Sequence, residues 1–97
     1  MAKEFKILKF SIEPFTSKLI AQFDANREYF LIANSATSLN EFYVMFFPFE
    51  QTGLFAIPDG SFAIYQGGFY EPTKIPSNAI SVYNQSGVNT LKGFILY

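Results

Sequence analysis

The sequence predicts an all-β fold, an antiparallel β-sandwich of the jelly-roll type with seven or eight short strands. Apolar residues recur at every second position along most of the chain, which is typical of strands with one buried face. Gly, Pro, Asn and Asp residues separate these runs at short intervals. No helical stripes alternate with the strands, as a parallel sheet would require. A length of 97 residues fits one domain.

The N-terminal part contains two candidate strands. Residues 4–12 alternate with one slip between Ile7 and Leu8, which predicts a bulged strand and leaves a short helix as the alternative. Pro14 ends this segment because it has no N–H to donate to a sheet. Residues 18–23 form the second candidate strand.

The chain divides into an N-terminal segment, residues 1–26, and a sandwich body, residues 27–97. The N-terminal segment is predicted to be a strand pair that completes the sheet or an arm that adds a strand to a neighbouring subunit. The strand candidates of the body are residues 29–33, 41–47, 54–57, 61–65, 79–83 and 90–96.

Alternation divides the strands of the body into two sets of side chains. The predicted core set has no polar side-chain atom and consists of Phe30, Ile32, Phe42, Val44, Phe46, Phe62, Ile64, Ile80 and Val82. The opposite set is rich in tyrosine, which suits surfaces that are apolar and still offer a hydrogen bond. We predict a subunit interface formed by Tyr29, Leu31, Tyr43, Met45, Phe47, Tyr65 and Tyr83. In the alternative, these tyrosines stabilise a solvent-facing sheet through cross-strand pairs.

The strand predicted over residues 41–47 is apolar on both faces. A sheet with one face in water alternates with polar residues instead, so something must cover the second face of this strand. Soluble oligomers are usually symmetric homo-oligomers, and a second copy of the chain is therefore the expected cover.

Residues with catalytic or metal-binding chemistry are scarce. The chain contains no His and no Cys, which removes the commonest general base, thiol nucleophile and transition-metal ligands. The carboxylates of Glu41, Glu50, Asp59 and Glu71 are interpreted as solvating or turn-forming groups rather than a glycosidase pair. We expect no enzymatic activity, no catalytic residues, no metal and no cofactor.

Charge and hydropathy narrow the classes of partner. A net charge of −1 provides no basic surface for nucleic acid. No apolar run reaches the length of a membrane span. Phe69 and Tyr70, beside the glycine-containing loop 66–68, are a candidate platform for a glycan or a partner protein. Asn84 begins a match to the N-glycosylation sequence, without a secretory signal to support it.

Several features of residues 27–97 form a pattern that resembles small β-sandwich proteins of bacteriophage virions. An Arg precedes the first strand of the body and Asn-Ser follows it, and an aromatic strand comes next. A Gly and a Pro-x-Gly turn, a proline-bearing loop, an Ala-Ile-Ser strand and a Gly before the last strand complete the pattern. The residues concerned are Arg27, Phe30, Ile32, Asn34, Ser35, Phe42, Val44, Phe46, Gly53, Pro58, Gly60, Pro72, Pro76, Ala79, Ile80, Ser81, Gly87 and Leu91.

The resemblance implies a virion structural protein similar to capsid decoration, cement, head-fibre or spike components. Such a chain would be made in the host cytoplasm and located on the virion. Its implied partners are other copies of itself, in a cyclic homo-oligomer with a trimer favoured, and the major capsid protein or other virion proteins. The alternative is a receptor- or glycan-binding module of a spike or tail.

Overall fold

A computed structural model describes residues 5–35, 41–54 and 56–97. Predictions that fall on residues 1–4, on 36–40 and on 55 lie outside the described residues. The described residues form nine strands: β1 (Ile7–Ile12), β2 (Thr16–Ala21), β3 (Leu31–Asn34), β4 (Phe42–Met45), β5 (Gln51–Thr52), β6 (Phe62–Ile64), β7 (Phe69–Tyr70), β8 (Ile80–Asn84) and β9 (Leu91–Leu96).

The strands form two antiparallel sheets that pack as a sandwich. The four-stranded sheet has the order β1-β9-β3-β7, and the five-stranded sheet has the order β5-β2-β8-β4-β6. Apart from the two-residue β5, the strand orders β1-β9-β3-β7 and β2-β8-β4-β6 are those of a jelly roll, in which successive strands change sheet except for the paired neighbours β4 and β6. The predicted fold class is confirmed. Within the described residues, no helix is long and apolar enough to cross a membrane.

The N-terminal segment contributes one strand to each sheet. β1 pairs with β9 in an uninterrupted register from Ile7 opposite Leu96 to Ile12 opposite Leu91. The predicted bulge in this strand and its helical alternative are therefore wrong, because Ile7 continues the regular alternation by facing outward. The irregularity lies in β2, where the pairing with β8 shifts between Leu19 and Ala21.

Two short strands differ from the prediction. The segment predicted as a strand over residues 54–57 has no strand among its described residues, and the neighbouring strand is β5, which pairs with β2. β7 pairs with β3 through two residues in a segment for which no strand was predicted. Strands of two residues are too short to show a period, so only their pairing identifies them.

The core lies between the two sheets and consists of the residues that alternation predicts. Seven of the nine predicted core side chains are buried, and Phe46 and Phe62 pack against them as partly buried rings. β1 and β9 of the four-stranded sheet add three more buried residues, Ile12, Leu91 and Ile95. The rings of Phe10 in β1 and Phe42 in β4 pack edge to face, with their centres 5.7 Å apart. This contact links the two sheets across the core.

Two buried asparagines join the ends of strands from different sheets. The Asn34 side chain donates to the Ile64 carbonyl at 2.9 Å, and the Asn84 side chain donates to the carbonyls of Ile12 and Asn89. Asn84 has no exposed surface. The folded chain therefore cannot present the Asn84 sequence match for glycosylation.

Arg27, one of the residues in the phage-like pattern, has a structural role. Its guanidinium donates to the carbonyls of Pro76, Asn78 and Gln22 at 2.6 to 3.0 Å. Partial burial lowers the pKa of Arg27 from its ordinary value, and the Asp24 carboxylate opposes this shift. The cation also lies 5.6 Å from the centre of the Phe30 ring, so it ties two loops to the core.

We predict that Gly93→Ala destabilises the sandwich. An added Cβ would lie 2.5 Å from Cζ of Phe10 and 2.6 Å from the backbone oxygen of Ala33, which cannot move without separating β3 from β9. The overpacking lowers the free energy of unfolding by about 1–3 kcal/mol in urea titrations. The control, Lys92→Ala at the preceding exposed position, changes it by less than about 0.5 kcal/mol. Equal stability of the two variants would contradict this packing.

Candidate functional site

The predicted interface residues lie on two different surfaces. Tyr29 and Leu31 belong to the outer side of the four-stranded sheet, whereas Tyr43, Met45 and Tyr83 belong to the outer side of the five-stranded sheet. The outer sides of a sandwich point in opposite directions. The prediction that all seven residues lie on one face is therefore wrong.

The outer side of the five-stranded sheet is covered by the chain itself. Residues 47–53, here called the covering segment, follow β4 and fold back over β8 and β2. Phe47 and Phe49 lie within this segment with their rings 6.2 Å apart. Beneath it, Met45 and Tyr83 have no exposed surface. The expectation that a second copy covers β4 is corrected here, because the chain's own next segment fills that place.

Buried hydroxyl groups attach the covering segment to the sheet. Ser81 Oγ donates to the Phe47 carbonyl at 2.7 Å and accepts from the Phe49 N–H at 2.9 Å. Ser17 Oγ donates to the Phe49 carbonyl at 2.6 Å, and the Tyr83 hydroxyl donates to the Gly53 carbonyl at 3.2 Å. These bonds satisfy the backbone of a segment that has only two residues in a strand. The hydroxyl of Tyr83, which was predicted to lie at a subunit interface, therefore forms its hydrogen bond within the chain.

The outer side of the four-stranded sheet carries a second apolar surface, here called the open face. It is formed by Ile7, Leu31, Phe69, Phe94 and Leu96. Ile7 and Phe69 are 64% and 65% exposed, and the other three are partly buried. The sequence predicted Leu31 on an interface and Phe69 on a binding loop, but not that the fold brings them together. The sequence did not predict three members of the open face, Ile7, Phe94 and Leu96. Alternation shows which residues share one side of a strand but not which strands lie next to each other.

The strand register arranges the open face in rows. Ile7, Leu96 and Leu31 lie side by side in the first row. Lys9, Phe94, Ala33 and Phe69 lie side by side in the second row. Ser11 and Lys92 form a third, polar row. The apolar part of the face is therefore bordered by two exposed lysines, and an open groove at that border is lined by Lys9, Phe10, Ser11, Ser35, Lys92, Gly93 and Phe94.

An aromatic pair and a carboxylate extend the open face at its other end. The rings of Phe5 and Tyr29 lie 4.7 Å apart, beyond the first row. The Tyr29 hydroxyl donates a hydrogen bond to the carboxylate of Glu71, which directly follows β7. This bond raises the pKa of Tyr29 from its ordinary value, with smaller contributions from burial and from the negative charge of Glu71. The acidic end and the lysines are thus at opposite ends of the open face.

The two residues of the predicted glycan platform do not share a surface. They are adjacent in β7, so their side chains point to opposite sides of the sheet. Phe69 belongs to the open face, whereas the Tyr70 ring packs 4.8 Å from Phe62 and 6.4 Å from Phe46 at the end of the core. Tyr65, predicted as an interface residue, is 68% exposed in the connection after β6. A platform of Phe69 with Tyr70 is not formed.

The geometry offers contact surfaces more than reactive groups. In the described part of the chain, no three Asp or Glu side chains come together as they would to hold a metal ion. The carboxylates of Glu50 and Glu71 accept hydrogen bonds from the Leu19 N–H and from Tyr29. The absence of catalysis, metal and cofactor stays a prediction.

Comparison with family models, curated proteins and solved structures gives no match for this chain. The resemblance to phage virion proteins is therefore a prediction from sequence pattern alone.

We predict that Ser81→Ala loosens the covering segment. The change removes a donor and an acceptor from a site without exposed surface, which costs about 1–3 kcal/mol. Hydrogen exchange measured by NMR should quicken at the Phe49 amide by about tenfold for each 1.4 kcal/mol lost locally. Ser11→Ala, at an exposed position of β1, is the control and leaves that amide unchanged. Unchanged exchange in Ser81→Ala would mean that other contacts hold the segment.

We predict that Tyr29 ionises above its ordinary pKa and that Glu71→Gln lowers this pKa toward the ordinary value. Loss of the phenol proton breaks the hydrogen bond and places two negative charges together. Any stability from the bond is therefore present below the unfolded pKa and is lost as the pH rises through the folded pKa. NMR shifts of the Tyr29 ring measure the titration. Glu41→Gln, which removes the negative charge beside Tyr43 instead, leaves the Tyr29 titration unchanged.

Proposed function

We propose that this chain is a structural protein of a phage virion, which oligomerises and binds the capsid surface as a decoration, cement or minor capsid component. The open face is the observation that carries the proposal. It gives the chain a surface whose chemistry is suited to burial against other protein chains.

The open face differs from scattered surface apolar residues because its members are contiguous. Ile7, Leu96 and Leu31 are direct cross-strand neighbours, and Phe94 and Phe69 lie one row away on the same sheet. Among the other large exposed apolar side chains of the described residues, Phe5 contacts Tyr29 at the end of the open face and Tyr70 packs at the end of the core. The remaining four lie in four different connections: Phe23, Leu54, Tyr65 and Val88. Contiguous apolar patches on soluble proteins commonly mark interaction sites.

The architecture gives the proposal further support. Jelly rolls are common in viral capsid and lectin domains, although a shared fold alone does not establish a shared function. The sequence pattern from Arg27 to Leu91 independently resembles virion β-sandwich proteins. Both lines suggest a protein that acts by position and contact.

The proposed mechanism is burial of apolar surface. Full burial of a Phe or Ile side chain stabilises a contact by about 1.5–3 kcal/mol, from which the entropy of association must be subtracted. One copy of the open face therefore gives a modest affinity. A virion repeats the same contact many times, and linked contacts bind far more strongly than single ones.

A receptor- or glycan-binding role has less support. Its aromatic platform would need neighbouring rings on one surface, and only Phe69 of the predicted pair is directed to the open face. Phe69 is surrounded there by aliphatic and aromatic neighbours, which favour an apolar protein surface over a sugar.

We predict that Phe69→Lys weakens binding to virus particles and leaves the fold intact. Particles produced without this gene product are incubated with the purified chain, and bound protein is measured after sedimentation. The wild-type chain binds, whereas Phe69→Lys binds at least about tenfold more weakly because a charge replaces a ring on the open face. Thermal unfolding of the variant stays within a few degrees of the wild type because Phe69 contributes little to the core.

Val88→Lys is the matched control, since Val88 is 84% exposed in the connection between β8 and β9. It introduces the same charge away from the open face and should bind like the wild type. Failure of the wild-type chain to bind particles, or equal binding by Phe69→Lys, would overturn the proposal.

A further inference from the structure

We propose that the open face is covered by a second copy of this chain, in a two-fold pair whose sheets pack face to face with their strands crossed. This inference deepens the proposed function, because it rests on burial of the open face and names the protein that buries it. Charged residues border the apolar rows at two corners of the open face.

The open face has an acidic corner and a basic corner on one diagonal. Glu71 directly follows β7 in the sequence and lies at the level of the first row. The hydrogen bond from the Tyr29 hydroxyl holds its carboxylate at this end of the face. Lys9 and Lys92 lie on β1 and β9, in the second and third rows. With strands about 4.8 Å apart and residues about 3.4 Å apart along a strand, the two corners are separated by about 16 Å. The apolar side chains lie between them.

This diagonal makes the face complementary to itself. A two-fold axis can lie in the plane of the interface, perpendicular to the line that joins the two corners. Rotation about this axis places Glu71 of each copy at the lysine corner of the other. The groove between Lys9 and Lys92, bordered by the hydroxyl groups of Ser11 and Ser35, provides the receiving surface for that carboxylate. The apolar rows of the two copies then meet between two sets of opposite charges.

The same axis also determines the angle between the strands of the two copies, and this angle is one that packed sheets adopt. From the row and strand spacings, it makes the strands of the two copies cross at roughly 80°. Face-packed sheets occur in aligned and in nearly orthogonal arrangements, and this pair belongs to the orthogonal class. The charges therefore select one of the two arrangements.

The available area is sufficient for a weak specific dimer. Four strands and three rows span about 20 Å in each direction, so two copies bury roughly 1,000 Å² in total. This area is near the lower limit for specific interfaces. We therefore expect association in the micromolar range or weaker, and a shell or other assembly to strengthen it by repetition.

A rival pairing uses the edge of the sheet rather than its face. β1 is the longest edge strand of the described residues and could pair antiparallel with the second copy's β1. A symmetric register around Lys9 would then place two lysines opposite each other, which is unfavourable. Edge pairing would also leave the open face exposed. The trimer favoured from the resemblance needs two different contact surfaces, whereas the two-fold pair uses one surface twice.

Charge exchange between the corners tests the pair. Analytical ultracentrifugation of the wild-type chain at increasing concentration should show a mass rising from 11.0 kDa to twice that value. Glu71→Lys makes both corners basic, and the double variant Lys9→Glu/Lys92→Glu makes both acidic. Each variant alone should lose at least about tenfold in self-association. An equimolar mixture of the two should recover the double mass, because opposite corners meet again.

The triple variant, with all three charges exchanged, should pair with itself like the wild type. Asp59→Lys changes the net charge as Glu71→Lys does, at an exposed turn of the described structure, and should leave pairing unchanged. Self-association that survives in Glu71→Lys would overturn the crossed pair and is the result expected for edge pairing, which does not involve Glu71. A mixture that stays at the single mass would also overturn the crossed pair.

Particle binding separates this inference from the proposed function. If the wild-type chain stays at 11.0 kDa at every concentration but binds particles through Phe69, the pair is wrong and the virion role stands. If the mixture experiment succeeds and the chain does not bind particles, the pair stands and the virion role is wrong.

Discussion

The hydrogen bonds between buried hydroxyls and the covering segment are the interaction on which the rest of this structure depends. β4 is apolar on both faces, so a sandwich alone would leave Met45 exposed and Tyr83 half solvated. Ser81 and Ser17 let the following segment, which makes few strand pairs of its own, lie against that surface with its backbone satisfied. The five-stranded sheet and the covering segment thereby form two layers within one chain, and the four-stranded sheet is the third layer of the molecule.

The four-stranded sheet has no equivalent layer among the described residues. Its outer side also carries apolar side chains, and the consequence is an asymmetric molecule with one side covered by the chain itself and one open face. This asymmetry explains why an excess of aromatic residues in the sequence divides into two uses. Rings such as Phe42 and Phe46 build the core, whereas Phe69 and Phe94 lie on the open face.

Polar groups determine how each apolar surface is used. Hydroxyls on the covered side direct the chain back onto itself, and buried asparagines fix the ends of the strands. On the open face the polar groups lie at the corners and carry full charges. Charges at an interface contribute more to orientation and specificity than to affinity. In the proposed pair, Glu71 and the two lysines orient the second copy, and the apolar rows provide the stabilisation.

The sequence by itself determined the fold class and the core, because the alternation of Phe30 with Ile32 or of Ile80 with Val82 depends only on neighbouring residues. It also determined that β4 needs a cover on its second face. The tertiary structure alone decided what supplies that cover and which side chains share a surface. Tyr29 and Tyr83 have the same local pattern, and only strand order places them on opposite sides of the sandwich. Ile7 and Phe69 are far apart in sequence and meet on one face because β9 and β3 lie between their strands, a pairing that local periodicity does not encode.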